Sequence, residues 1–259
     1  MKISILHATY FREKGPEEVR SAWLEAATNP ERVEYRVAVT RTDTLALSET
    51  DASSRVIVEP PEGTSTTVRN WNSLAITATG DFLFVIADDL FPVKRGWDSD
   101  LEKIARMHDP CRNSYLVKVA DSTSKSDTKV RHPVASRRFY EKYGLWWPGY
   151  SGMYVDSDLT LFAFWRAAII DGRHIRFNHI NPIVDNEFEA SLSFSEANSE
   201  SEYTRGKLIF NQRWPRFLQG TRVSLVDTNV SLLHVASLKL KVSEAFSIVF
   251  RSRFLNWLR

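Results

Sequence analysis

The residues best suited to chemistry in this chain are two adjacent carboxylates, Asp88 and Asp89. They follow directly on the apolar run Phe82-Leu83-Phe84-Val85-Ile86-Ala87. An unbroken run of this kind reads as a strand buried on both faces, as at the centre of a parallel sheet. Acids placed directly after it stand at its carboxyl end, where open α/β sheets bind their ligands. Hard oxygen donors there suit Mg2+ or Mn2+ together with a phosphate-bearing molecule. The same pair also reads as a solvated acidic turn, because Asp is common in turns.

Four further clusters carry polar or aromatic groups at comparable places. His7-Ala8-Thr9 ends the first apolar segment, and Asp43 follows the second. Two adjacent strand ends with polar groups make a pocket for a nucleotide base or ribose, although each residue alone also reads as loop polarity. Arg69 and Asn72 lie on the helical segment before the acidic strand, where an Arg either neutralises phosphate or is merely solvated. Trp146, Trp147 and Tyr150 lie among glycines, in a segment that suits either the face of a sugar ring or the core. Asp156, Ser157 and Asp158 open a helical segment, so their side chains serve as caps or as a general base. His179 ends a late strand, a position from which an imidazole can bind a metal, although a lone His is usually not a ligand.

The elements that must hold these groups follow from periodicity and punctuation. Strands are expected over 2–8, 34–40, 55–59, 82–87, 115–120 and 173–181. Helices are expected over 16–27, 68–78, 97–107 and 157–171. Residues 63–67 read as a polar loop, 121–132 as an exposed polar loop, and 134–143 as mixed. The β-α-β-β-α-β order of the first part predicts an α/β fold with a mostly parallel central sheet flanked by helices.

Bulk properties narrow the class. The chain has 259 residues, enough for one large α/β domain with an appendage. A formal net charge of +2 sets up no field that demands nucleic acid. The single cysteine, Cys111, excludes an intramolecular disulfide. The first residues do not read as a signal peptide, and no window reaches the ~18 apolar residues of a membrane span. The expectation is a cytoplasmic protein, attached at most to a membrane surface.

Taken in order, these segments resemble the nucleotide-sugar-dependent glycosyltransferases of the GT-A (Rossmann-like) fold, in the broad inverting family-two-like class. The pieces that match are Ile3 to Thr9, Asp43, the helix around Arg69-Asn70-Trp71-Asn72, and Ala78 to Asp89 with Pro92 and Gly96-Trp97. The aromatic segment ending in Asp156, and His179 with Pro182, complete the set. The resemblance spans 2–182 and implies a catalytic domain over 1–186. The remaining 187–259 is expected to be a mainly helical C-terminal extension packing on that domain or on a partner.

What the resemblance implies is a transferase that moves a hexosyl or pentosyl group from a nucleoside-diphosphate sugar to an acceptor hydroxyl. His7, Ala8, Thr9, Asp43, Arg69, Asn72 and Asp88 would contact the donor. Asp89 and His179 would hold Mn2+ or Mg2+. Asp156, with Asp158 as its alternative, would activate the acceptor, and Trp146, Trp147 and Tyr150 would form its wall. The family's Asp-any-Asp motif has Ala87 at its first acidic position here, and its Glu-Asp pair is Val155-Asp156.

The acceptor class stays open among glycan, lipid-linked sugar and modified nucleic acid. Two other readings of the same residues remain: a nucleotidyltransferase on a similar sheet, and a non-catalytic sugar- or partner-binding module. The first would want a Gly-rich basic loop after the first strand, and Tyr10 to Pro16 supplies one Gly and mixed charge. The tail over 239–259 mixes aromatic and basic residues, which suits packing on the domain, a homo-oligomer contact, or a membrane or nucleic-acid surface.

Overall fold

The structure is a computed structural model and describes residues 1–11, 15–59, 67–121, 129–180, 195 and 198–214. In chain order the first half comprises β1 (Ile3–Ala8), α1 (Pro16–Glu25), β2 (Val33–Val39), α2 (Thr44–Glu49), β3 (Arg55–Ile57), α3 (Thr67–Thr77), β4 (Phe82–Ala87), β5 (Leu90–Pro92) and α4 (Trp97–Met107). The second half comprises β6 (Leu116–Ala120), β7 (Val134–Ser136), α5 (Arg137–Tyr143), α6 (Val155–Trp165), β8 (Ile169–His179) and α7 (Glu200–Arg213).

The apolar run Phe82–Ile86 is fully buried in β4, which lies parallel to β1 with Ile3 opposite Phe82 and Ala8 opposite Ala87. Successive strand side chains point to opposite faces. Leu83 and Val85 therefore join Leu6 and Ala8 in one core cluster, with α3, α5, α6 and Phe210 of α7. Phe82, Phe84 and Ile86 join Ile3 and Ile5 in the other, with α1 and α4. A central strand needs apolar residues on both faces because helices cover both, which is what the unbroken run signals.

The strand order is β3-β2-β1-β4-β7-β6-β8-β5. The pairs β3–β2, β2–β1, β1–β4 and β6–β8 are parallel, while β7 is antiparallel to β4 and β6, and β5 is antiparallel to β8. This is the mostly parallel α/β sheet expected from the sequence. The β5–β8 pairing sets Leu90 opposite His179 and is backed by an aromatic cluster. Trp23 of α1 stacks on Phe177 at 5.0 Å and donates its indole N–H to the Leu90 carbonyl at 2.8 Å. Trp97 of α4 donates to the Trp23 carbonyl at 3.1 Å.

Several elements differ from the sequence expectation. The helix expected over 157–171 runs instead from Val155 to Trp165. It is closed by Ala167 at φ +48°, with Ala168 N–H donating to the Ala163 carbonyl at 2.9 Å. That is a left-handed C-terminal closure without the glycine that usually announces it. The released residues extend β8 to 11 residues rather than a short strand. The polar segment expected to be an exposed loop over 121–132 has buried ends, since Asp121, Val130 and His132 are enclosed. The loop expected over 63–67 lies almost wholly outside the described residues, as do Pro182 and the tail over 239–259. Within 187–259, α7 packs into the first core cluster through Phe210, and Gly206 lies against the Met153 backbone.

Glu34 of β2 ties its strand to β1 and to the segment that leads into β4. Its carboxylate accepts hydrogen bonds from Ser4 Oγ, from Lys2 Nζ at 3.2 Å and from Thr79 N–H at 2.8 Å. Partial burial raises its pKa, but the hydrogen bonds from Ser4, Thr79 and Lys2 outweigh that and hold it at about 2. A carboxyl depressed in the folded state contributes stability above its unfolded pKa, near 4.5, and loses it as pH falls towards 2. Glu34→Gln is therefore expected to lower stability at pH 7 and to flatten the pH dependence between about 4.5 and 2. Urea denaturation of both proteins across that range tests this; parallel pH curves would reject it.

Candidate functional site

Polar groups gather at the carboxyl ends of β1 and β4. In the parallel register His7 stands opposite Ile86, which brings its ring to the acids after β4. His7 is fully buried between Tyr35, whose hydroxyl is 3.0 Å from Nδ1, and Asp88, whose Oδ1 is 2.9 Å from Nε2. His7 thus orients Asp88. The second acid has a histidine of its own: Asp89 Oδ2 is 3.3 Å from His179 Nε2. The β5–β8 ladder makes that contact, and Ile180 N–H donates to the Asp89 carbonyl at 2.8 Å. Burial pushes the His179 pKa down, but the hydrogen bond and charge of Asp89, with the charge of Asp121, outweigh it and leave it above its usual value.

A third residue joins them. One ligand atom each from Asp89, His132 and His179 lie within 4.8 Å of one another, and the two imidazoles meet edge to face at 4.9 Å. His132 is held from behind. Its backbone N–H donates to Asp121 Oδ2 at 2.9 Å, and Nδ1 lies 3.1 Å from the same oxygen. The other oxygen of Asp121 accepts from Lys118 Nζ at 2.9 Å. Lys118 and Asp121 are buried, and although burial raises the Asp121 pKa, His132 and Lys118 together drive it well below the carboxylate range. One carboxylate and two imidazoles form a donor set that fits a divalent cation. A carboxylate behind one of the imidazoles is a common supporting arrangement at such centres. Asp121 and His132 were not singled out in the sequence. The available signal was an acid directly after the apolar strand β6, the same pattern that marked Asp88 and Asp89.

Asp156 lies in the first turn of α6, following Tyr154 at φ +68°. A bulky residue in the left-handed region is strained, by about 1–3 kcal/mol, and such strain recurs at functional sites. Asp156 Oδ1 accepts from Ser157 N–H at 2.8 Å, and Oδ2 is 3.6 Å from Lys129 Nζ. His132 is three residues beyond Lys129, a stretch that spans at most about 11 Å. The single segment 129–132 therefore runs from Asp156 to the Asp89–His132–His179 cluster.

The remaining sequence candidates fall into two groups. Thr9 is buried, and among the described residues its hydroxyl has no hydrogen-bond partner; Ala8 is buried beside it. Arg69 is exposed on the first turn of α3. Ala8 and Thr9 stand at the carboxyl end of β1. Other candidates are occupied by the fold. Asp43 caps α2 through Ala46 N–H at 3.1 Å and accepts from Phe11 N–H at 2.8 Å. Asn72 exchanges two hydrogen bonds with the Trp146 backbone, at 3.0 and 3.1 Å. Trp146 and Tyr150 are buried in the core, while Trp147 is 49% exposed with Arg213 3.7 Å above its ring. Asp158 is buried and accepts from Arg213 Nε and Trp214 Nε1, both at 2.7 Å, and from the Tyr150 hydroxyl at 3.3 Å. Its side chain latches the end of α7 to α6.

No protein-family model matches the chain, and no curated protein matches it in sequence. Solved structures do match. The chain is similar to S. aureus TarS, with 14% identity over 86% of this chain and a TM-score of 0.53. It spans 44% of the length of that TarS chain. Against TarS 1-349 in complex with UDP-GlcNAc the identity is 14% and the TM-score 0.53, covering 86% of this chain and 74% of that one. Against TarS 1-349 in complex with UDP the identity is 16% and the TM-score 0.50, covering 87% and 76%. At this identity the likeness is one of fold alone, and it agrees with the GT-A (Rossmann-like) fold expected from the sequence. Among the described residues, no helix is long and apolar enough to cross a membrane.

Asp121→Asn is expected to cost about 3–5 kcal/mol, because it leaves Lys118 charged and buried without its carboxylate. Pairing it with Lys118→Met removes that charge and is expected to recover most of the loss. Urea denaturation of the two variants decides this; equal destabilisation would contradict it.

Proposed function

We propose that this protein is a glycosyltransferase that transfers a sugar from a nucleoside-diphosphate sugar to an acceptor hydroxyl, with metal assistance and inversion at the anomeric carbon. The observation that carries the reading is the meeting of Asp89 and His179, beside the His7–Asp88 pair, just beyond the carboxyl ends of β1 and β4. Open α/β sheets bind ligands there. The similarity in fold to TarS, which is solved with UDP and UDP-GlcNAc, supports a nucleotide-sugar donor.

The donor lies across the ends of β1 and β4, with the Thr9 hydroxyl and Arg69 as its polar and cationic contacts. His7 holds Asp88 in place at the edge of that pocket. Asp89 and His179 hold the cation. When bound, Mn2+ or Mg2+ supplies positive charge that stabilises the leaving diphosphate.

Asp156 is the general base, accepting the proton of the acceptor hydroxyl as it attacks. Lys129 beside it keeps the carboxylate aimed. Asp158 is assigned to positioning, since Arg213, Trp214 and Tyr150 already occupy its oxygens. Trp147 offers the exposed aromatic surface for the acceptor.

Asp156→Asn is expected to leave nucleotide binding intact and to cut turnover by about 10²–10⁴-fold. The measurement is release of nucleoside diphosphate in a screen of donor sugars, with binding followed by thermal stabilisation. Turnover like that of the parent protein would remove Asp156 from the mechanism. Asp89→Asn is expected to abolish the metal-dependent part of the thermal shift produced by UDP, because it removes the carboxylate ligand. A metal-dependent shift of unchanged size would reject the ligand assignment.

A further inference from the structure

Two protein ligands suffice for the reading above, but a third group is aimed at the same point. We propose that His132 is a third protein ligand of the cation, and that the resulting set of two imidazoles and one carboxylate makes the site select first-row transition ions over Mg2+. The inference rests on the metal-assisted part of that reading, not on which group is transferred.

Three observations support it. First, ligand atoms of His132, His179 and Asp89 lie within 4.8 Å of one another. Second, the orientation of the His132 ring is fixed. Asp121 Oδ2 already accepts the His132 backbone N–H, and Asp121 Oδ1 accepts from Lys118 Nζ. With both carboxylate oxygens acting as acceptors, Nδ1 is the ring's donor and carries the proton, which leaves the Nε2 lone pair for a metal. Third, Lys118, Asp121 and His132 are all buried. A buried charged chain is a costly device, and it holds one imidazole in one tautomer.

The selectivity follows from ligand chemistry. Mg2+ favours carboxylate, phosphate and water oxygens and keeps much of its hydration. Imidazole nitrogen suits the later divalent ions, and affinity at mixed nitrogen and oxygen sites rises along the first row. A second imidazole in place of an oxygen donor therefore shifts the site away from Mg2+.

The test uses the full chain, Mn2+ alone as probe, and electron–nuclear double resonance with 15N-labelled histidine. Two coordinated imidazole nitrogens are expected in the unaltered protein, and one in His132→Gln, with Mn2+ affinity reduced at least about tenfold in that variant. In competition, Mg2+ is expected to need at least about a hundredfold excess to displace Mn2+ from the unaltered protein. A single nitrogen in the unaltered protein overturns the proposal, and that count needs no variant to fold. Absence of Mn2+ binding also overturns it, as does displacement by equimolar Mg2+. Nucleotide binding is measured separately by titration with UDP. Two nitrogens without UDP binding would sink the transferase reading and leave the His132 assignment standing. UDP binding with one nitrogen would do the reverse.

Discussion

The pairing of Leu90–Pro92 with Phe177–His179 is the constraint on which the candidate site depends. It brings two segments some ninety positions apart in the chain into register and sets His179 beside Asp89. The pairing is short, and short edge pairings are weak by themselves. Its support comes from beneath, where Trp23 stacks on Phe177 and donates to the Leu90 carbonyl, and Trp97 donates to the Trp23 carbonyl. Two helices and two strands thus lock together through one aromatic cluster. The hydrophobic core on that face therefore also sets the geometry of a hydrophilic centre.

A second chain of contacts approaches the same point from the other direction. Lys118, Asp121 and His132 are buried and linked, and the His132 ring meets His179. Buried charges are expensive unless fully paired, and here each has a partner. The segment that continues back to Lys129 reaches Asp156 in the first turn of α6. The candidate cation ligands and the candidate base are in this way mechanically joined through four residues of one segment. On the far side, Asp158 fastens α7 to α6 and Glu202 accepts from Ser151, so the described part of the C-terminal region braces the same helix.

The division of labour among the sequence candidates follows from occupancy. Asp43, Asn72 and Asp158 have the residue types of ligand contacts, yet their side chains are committed to caps and latches. Short polar side chains are well suited to both tasks, which is why type and position alone do not separate them. His7 is also committed, in its case to Asp88 at the strand end.

Much of this was legible in the chain. The unbroken apolar run of β4 fixed a central strand, because only a strand covered on both faces wants apolar residues at every position. The Pro-initiated α1 and the period of α4 were equally plain. The ordered resemblance already named Asp89 and His179. The tertiary structure decided the rest. The C-terminal end of α6 was hidden because Ala167 takes the left-handed turn that glycine normally signals. The segment around Asp121 and His132 looked exposed because polarity is read one residue at a time, whereas Lys118, Asp121 and His132 find one another as partners only once folded. Local chemistry sets which residues can bind a cation. Long-range pairing sets which of them meet, because a strand register spanning ninety positions leaves no periodic trace in the sequence.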